Sequence, residues 1–164
     1  MVTVLILAGG KSKRMGEDKA LMEGGVKHLR ALSLDAGVER IITLCGEKNR
    51  AAFFEGEVWT DPPECSTLSE VLQWVFGKID GSIQLIPCDA FQLQSDGLQC
   101  LLSSKGGVPL DENGRRQPLL AHCPRDWSLD STSGDVSSLF SSLQDLDLGI
   151  LSVQMKNFNA PIDS

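Results

Sequence analysis

The sequence predicts an α/β protein built on a mostly parallel sheet with helices on both of its faces. Two observations carry this prediction. Apolar, β-branched runs alternate with segments of helical period, the pattern left by successive strand–helix–strand units. The first run, Val2 to Ala8, is nearly apolar throughout, as expected of a strand covered on both faces. At 164 residues, the chain is read as one domain, 1–164, able to bury roughly 70% of its unfolded surface.

The elements follow in order. Val2 to Ala8 is the first strand, and Val26 to Ala36 a short helix closed by Gly37 as its C-cap. Arg40 to Cys45 is the second strand and Glu57 to Thr60 a brief third. Leu68, Val71, Leu72, Val75, Phe76 and Ile79 recur at helical spacing, with Ser66 or Thr67 available as N-cap. Ser82 to Pro87 is a further strand and Leu98 to Ser103 a helix. Gly107 to Leu110 and Pro118 to His122 read as strands flanking an Asp-Glu-Asn-Gly turn. Ser128 to Ser142 is rich in Ser and Asp, with a weak helical pattern in Leu139, Phe140 and Leu143. Gly149 to Gln154 is expected to be a last strand, completing a Rossmann-like arrangement.

Charge and cysteine content narrow the function classes. The net charge of −7 and pI near 4.8 argue against a protein that tracks a nucleic-acid backbone. Lys11, Lys13, Arg14 and Lys19 nevertheless cluster in one loop, which on an acidic chain points to a small anionic ligand. Cys45, Cys65, Cys88, Cys100 and Cys123 show neither a C-x-x-C pair nor ligand spacing with His28 and His122. They read as reduced thiols, so a cytoplasmic location is expected. The opening apolar run is too short to span a membrane and has no basic segment before it.

Ligands of open α/β sheets bind beyond the carboxyl ends of the strands. Four candidates lie just past such ends: the Gly9-Gly10 loop, Asp61, Asp89, and the Asn157/Asn159 tail. Two adjacent glycines after a buried strand offer backbone N–H groups with no Cβ in the way, and the cations beside them suit a polyphosphate. The loop is not a Walker A, because Gly16 leads to Glu17-Asp18-Lys19 rather than to Lys-Ser/Thr, and the Rossmann glycine spacing is absent. Asp89 follows an apolar strand directly, where a carboxylate can hold Mg²⁺ together with water and substrate phosphates. Asp61 can contact a ribose hydroxyl or a base edge, or merely start the Pro62-Pro63 turn.

Read together, Leu7-Ala8-Gly9-Gly10, Ser12-Lys13-Arg14-Met15-Gly16 and Asp18-Lys19-Ala20-Leu21 resemble the opening motif of the MobA-like nucleotidyltransferases, the molybdenum cofactor guanylyltransferases. Pro87-Cys88-Asp89, Gly114-Arg115-Arg116-Gln117-Pro118-Leu119 and Asn157-Phe158-Asn159-Ala160-Pro161-Ile162-Asp163 resemble three later motifs of that family, in the same order. The resemblance implies a nucleotide-diphospho-sugar transferase-like fold. It also implies transfer of GMP from GTP to Mo-molybdopterin, with Mg²⁺ as cofactor. Leu7, Ala8, Gly9 and Gly10 would approach the nucleotide through their backbone, and Arg14 and Lys19 would neutralise the β- and γ-phosphates. Asp89 would hold the metal and Asp61 would bind the nucleotide. Asn157 and Asn159 would orient metal or acceptor. A molybdoenzyme or another cofactor-biosynthesis protein is the implied macromolecular partner, with neither nucleic acid nor membrane involved.

Several segments depart from the family pattern. Glu23-Gly24-Gly25 stands where Gly-Lys-Pro-Leu is usual, Pro62 to Ser69 where a Gly-Pro-Leu-x-Gly loop is usual, and Cys45-Gly46 where Asn is frequent. The helix that commonly follows the tail motif is absent before Ser164. Two alternatives therefore stay open: a nucleotidyltransferase of the same fold using another base or acceptor, such as a cytidylyltransferase, and a non-catalytic nucleotide- or molybdopterin-binding protein.

Overall fold

The computed structural model describes residues 1–9, 19–21, 23–130 and 135–156. A five-stranded sheet has the order β3-β2-β1-β4-β6. Its strands are β1 (Val2–Leu7), β2 (Arg40–Gly46), β3 (Glu57–Thr60), β4 (Ser82–Pro87) and β6 (His122–Cys123). The first four are parallel, and β6 runs antiparallel to β4. A separate parallel pair joins β5 (Val108–Pro109) to β7 (Asp145–Leu146).

Alternation along β1 divides the core into two layers, because successive side chains of a strand point to opposite faces. Val4, Ile6 and Ala8 join Leu29 and Leu32 of α1 (Val26–Asp35) and Leu98 and Leu101 of α3 (Ser95–Ser103). Leu5 and Leu7 join Val71, Leu72 and Val75 of α2 (Leu68–Phe76) on the other face. Leu139 of α4 (Val136–Leu139), Phe140 and Leu143 are buried in that second layer, so apolar anchoring holds the described part of the Ser- and Asp-rich segment in place. The expected mostly parallel sheet with helices on both faces is thus the observed one.

Local chemistry explains the helix ends. The Thr67 hydroxyl accepts from the Glu70 N–H at 3.2 Å, and the Glu70 carboxylate accepts from the Ser66 N–H at 3.1 Å, a reciprocal cap for α2. At the end of α1, Gly37 takes φ +83°. Its N–H donates to the Leu34 carbonyl while the Val38 N–H donates to that of Ser33, the paired bonds of a Schellman motif.

Four expectations need correction. Helix α2 ends at Phe76, short of Ile79, which is still buried in the same layer. Helix α3 begins at Ser95 rather than Leu98. Pro118–Leu120 forms a 3-10 turn, leaving only His122–Cys123 as strand. Pro118 cannot donate to a ladder, and the Gln84 side-chain amide instead donates to the Leu120 carbonyl at 2.9 Å and that of Ala121 at 3.3 Å. Gly149–Met155 is a 3-10 helix, not a strand. Gln154 of that helix accepts from the Gln94 N–H at 2.8 Å and donates to Asp96 at 2.8 Å, which binds the segment across the start of α3 instead of along a sheet edge.

All five cysteines are free thiols, three of them buried. Among the described residues, no helix is long and apolar enough to cross a membrane.

Candidate active site

The strand order reverses at β1: the chain moves outward through β2 and β3 on one side, then returns to place β4 on the other. A crevice opens at such a point beyond the carboxyl ends of the strands. Leu7 pairs with Pro87, and the Cys88 N–H donates to the Leu7 carbonyl at 3.0 Å. The residues that follow these strand ends are Ala8-Gly9 on one side of the crevice and Asp89 on the other.

Ala8 is fully buried, and its N–H donates to the Leu44 carbonyl at 2.8 Å, which extends the β1–β2 ladder past β1. Gly9 is exposed. A Cβ added to it would stand 3.3 Å from the Gly46 Cα, so glycine is set here by the close approach of two backbones. Gly46 ends β2 with φ +82°, and its carbonyl accepts from the Asp61 N–H at 2.8 Å. That bond fixes the start of the Asp61 loop beside the end of β2.

Asp61 and Asp89 follow strands three places apart in the sheet. At 4.7–4.9 Å per step, their backbones stand roughly 14 Å apart. That is too wide a gap for one ion to bridge from both backbones. Burial raises the Asp61 carboxyl above its ordinary range. Asp89 is only 7% exposed. A nearly buried carboxylate is a hard donor suited to a divalent cation that completes its shell with water and phosphate oxygens. Among the described residues, no group of three or more His, Cys, Asp or Glu side chains is placed to form a protein-only metal cage.

Leu7, Ala8, Gly9, Asp61 and Asp89 therefore lie along one sheet edge, as their positions after successive strands predict. Gly10, Arg14, Asn157 and Asn159 lie outside the described residues. For Lys19 only the backbone is described, in the 3-10 turn Lys19–Leu21, whose Ala20 is buried in the same layer as Ala8, Cys88 and Ala90.

Sequence reading overlooked Arg50. It lies in the 3-10 helix Lys48–Phe53 and is 5% exposed. One guanidinium nitrogen donates to the carbonyls of Ala8 and Cys45, the latter at 2.7 Å. Its Cζ lies 5.6 Å from the centre of the Phe54 ring, within cation–π range. Lys48-Asn49-Arg50 carries no periodic or motif signal; only the fold brings Arg50 to the carbonyls of Ala8 and Cys45. Burial pushes the neighbouring Cys45 thiol up; the positive charge of Arg50 opposes that shift and the negative charge of Asp61 adds to it.

Solved structures share this fold. A protein from Aquifex aeolicus VF5 superposes with a TM-score of 0.64 at 17% identity, over 96% of this chain and 93% of that one. A 4-diphosphocytidyl-2C-methyl-D-erythritol synthase gives 0.62 at 17% identity, over 99% and 94%. The manganese complex of Rv0371c from Mycobacterium tuberculosis H37Rv gives 0.55 at 15% identity, over 90% and 87%. No curated protein matches the sequence at a significant level. The family model for the MobA-like NTP transferase domain matches residues 4–145, spanning every described strand-end position above, and the chain belongs to that family.

Proposed function

We propose that the chain transfers GMP from GTP to Mo-molybdopterin, forming molybdopterin guanine dinucleotide and releasing pyrophosphate. The observation that carries the reading is the placement of Gly9 and Asp89 just past adjacent strand ends where the strand order reverses. An oxygen of the Mo-molybdopterin phosphate attacks the α-phosphorus of GTP, and the bond from that phosphorus to the β-bridging oxygen breaks. Such a transfer is mainly positioning and charge stabilisation.

In this reading the backbone of Leu7, Ala8, Gly9 and Gly10 cradles the phosphates. Arg14 and Lys19 neutralise charge that builds on the leaving pyrophosphate. Asp61 binds the nucleoside end, a separation from Asp89 that an extended nucleotide can span. Asp89 holds Mg²⁺, and Asn157 and Asn159 orient the metal or the acceptor. When bound, the ion supplies charge neutralisation at the phosphates. The manganese bound by the Mycobacterium tuberculosis neighbour supports a divalent-cation requirement.

The second reading is cytidylyl transfer to another acceptor. The Pro62 to Ser69 segment, which departs from the guanylyl pattern, favours it, as does the likeness to a 4-diphosphocytidyl-2C-methyl-D-erythritol synthase. Thermal-shift titration with GTP, CTP, ATP and UTP, each with Mg²⁺, separates the two. Preference for GTP supports the first reading and preference for CTP replaces it. Pyrophosphate release from GTP and Mo-molybdopterin then tests turnover; an escort protein without catalysis releases none.

A further inference from the structure

We propose that Arg50 is a positioning residue that sets the direction of the Gly9 N–H and so orients an anion donor of the nucleotide loop. The identity of the anion, a nucleotide phosphate, rests on the function proposed above; the orientation does not.

The argument begins with the peptide unit. No described peptide bond is cis, and a planar trans peptide directs its N–H opposite to its C=O. The Ala8 carbonyl is held by the buried Arg50 guanidinium. The N–H of the same peptide belongs to Gly9, so it must face away from Arg50, and Gly9 is the exposed residue at the crevice. If this peptide flipped, the carbonyl oxygen would face the crevice and repel an anion there. Arg50 holds off that flip with a second grip on the β2 end at the Cys45 carbonyl, 2.7 Å away. Phe54 packs against the guanidinium, 5.6 Å from ring centre to Cζ. The buried charge of Arg50 also stands behind the Ala8–Gly9 peptide, where low polarizability leaves its field weakly screened. Lysine would keep the charge, but its stem ends one bond short of the guanidinium nitrogen that meets both carbonyls.

The test compares wild type with Arg50→Met and Arg50→Lys. Met keeps most of the stem's volume and removes every donor. Two quantities are measured: the resonance position and hydrogen-exchange rate of the Gly9 amide without ligand, and the Kd for GTP and CTP with Mg²⁺ by calorimetry. In Arg50→Met the Gly9 amide is expected to shift and exchange at least about tenfold faster, and the better nucleotide to bind roughly tenfold more weakly. Arg50→Lys is expected to recover part of both effects. An unchanged Gly9 amide in Arg50→Met overturns the proposal. So does failure of both variants to fold, which assigns Arg50 to the fold alone. A wild type that binds neither nucleotide rejects the functional reading, while the ligand-free Gly9 amide still decides the role of Arg50.

Discussion

His122 Nδ1 lies 3.1 Å from Gln84 Oε1, and both residues are buried where β6 pairs with β4. Gln84 donates through Nε2 to the carbonyls of Leu85 and Leu120, each at 2.9 Å, so its oxygen faces the imidazole and accepts from Nδ1–H. Burial lowers the His122 pKa below its ordinary 6.5. The unfolded chain therefore takes up the proton first as pH falls. Stability is full above pH 6.5 and declines as pH drops from there toward the lower folded-state value. Urea midpoints measured at neutral and mildly acidic pH should show this loss, and His122→Asn should flatten the dependence. An equal slope in the variant would show that other groups control it.

Asp89→Ala is expected to lower turnover by at least about a hundredfold, the scale of losing a key electrostatic contact. Circular dichroism should stay near wild type, because Asp89 lies beyond the last residue of β4 and outside its ladder. Pyrophosphate release is the readout, and full activity in this variant would remove Asp89 from the metal site.

Gly9→Ala puts a methyl group 3.3 Å from the Gly46 Cα, and neither backbone is free to retreat from its ladder bonds. Overpacking of this kind costs about 1–3 kcal/mol. The expected result is weaker nucleotide binding by calorimetry together with a fall of roughly 2–12 °C in melting temperature.

Asp61→Asn should have opposed effects. Burial raises the Asp61 carboxyl in the folded chain, so its ionised form opposes folding at neutral pH, and that penalty is relieved as pH falls toward the raised pKa. The neutral amide is expected to raise the melting temperature at pH 7 while weakening nucleotide binding. A fall in both would contradict the assignment.

Thr67→Ala removes the hydroxyl that caps α2. The expected cost is about 1 kcal/mol, or roughly 2–4 °C in melting temperature for a chain of this size.

The central strands, the main helices and the strand-end positions of Gly9, Asp61 and Asp89 were legible because each has a local cause; the Asn157/Asn159 tail was expected to follow a strand, and a 3-10 helix precedes it instead. β1 is apolar on both faces, α2 has a period and a cap, and Asp89 follows an apolar run directly. What escaped were features fixed by partners distant in sequence. Gly149–Met155 is apolar enough for a strand, but Gln154 finds its bonds at Gln94 and Asp96, not on a sheet edge. Asp145–Leu146 is too short to read as a strand until Val108–Pro109 lies beside it. Arg50 was hidden for the same reason: nothing near it in sequence says that its guanidinium meets the carbonyls of Ala8 and Cys45.

β1 is the middle strand of five, paired with β2 and β4 and covered by a helical layer on each face. Its amides are therefore expected to open to solvent only with the whole molecule, which would hang the crevice between Ala8-Gly9 and Asp89 from the last element to come apart. A ligand seated there is linked to global unfolding and not to the fraying of a peripheral lobe. Each tenfold excess of ligand over its dissociation constant then adds about 1.4 kcal/mol to the stability of the entire chain, and the melting temperature becomes a direct reporter of what the crevice holds.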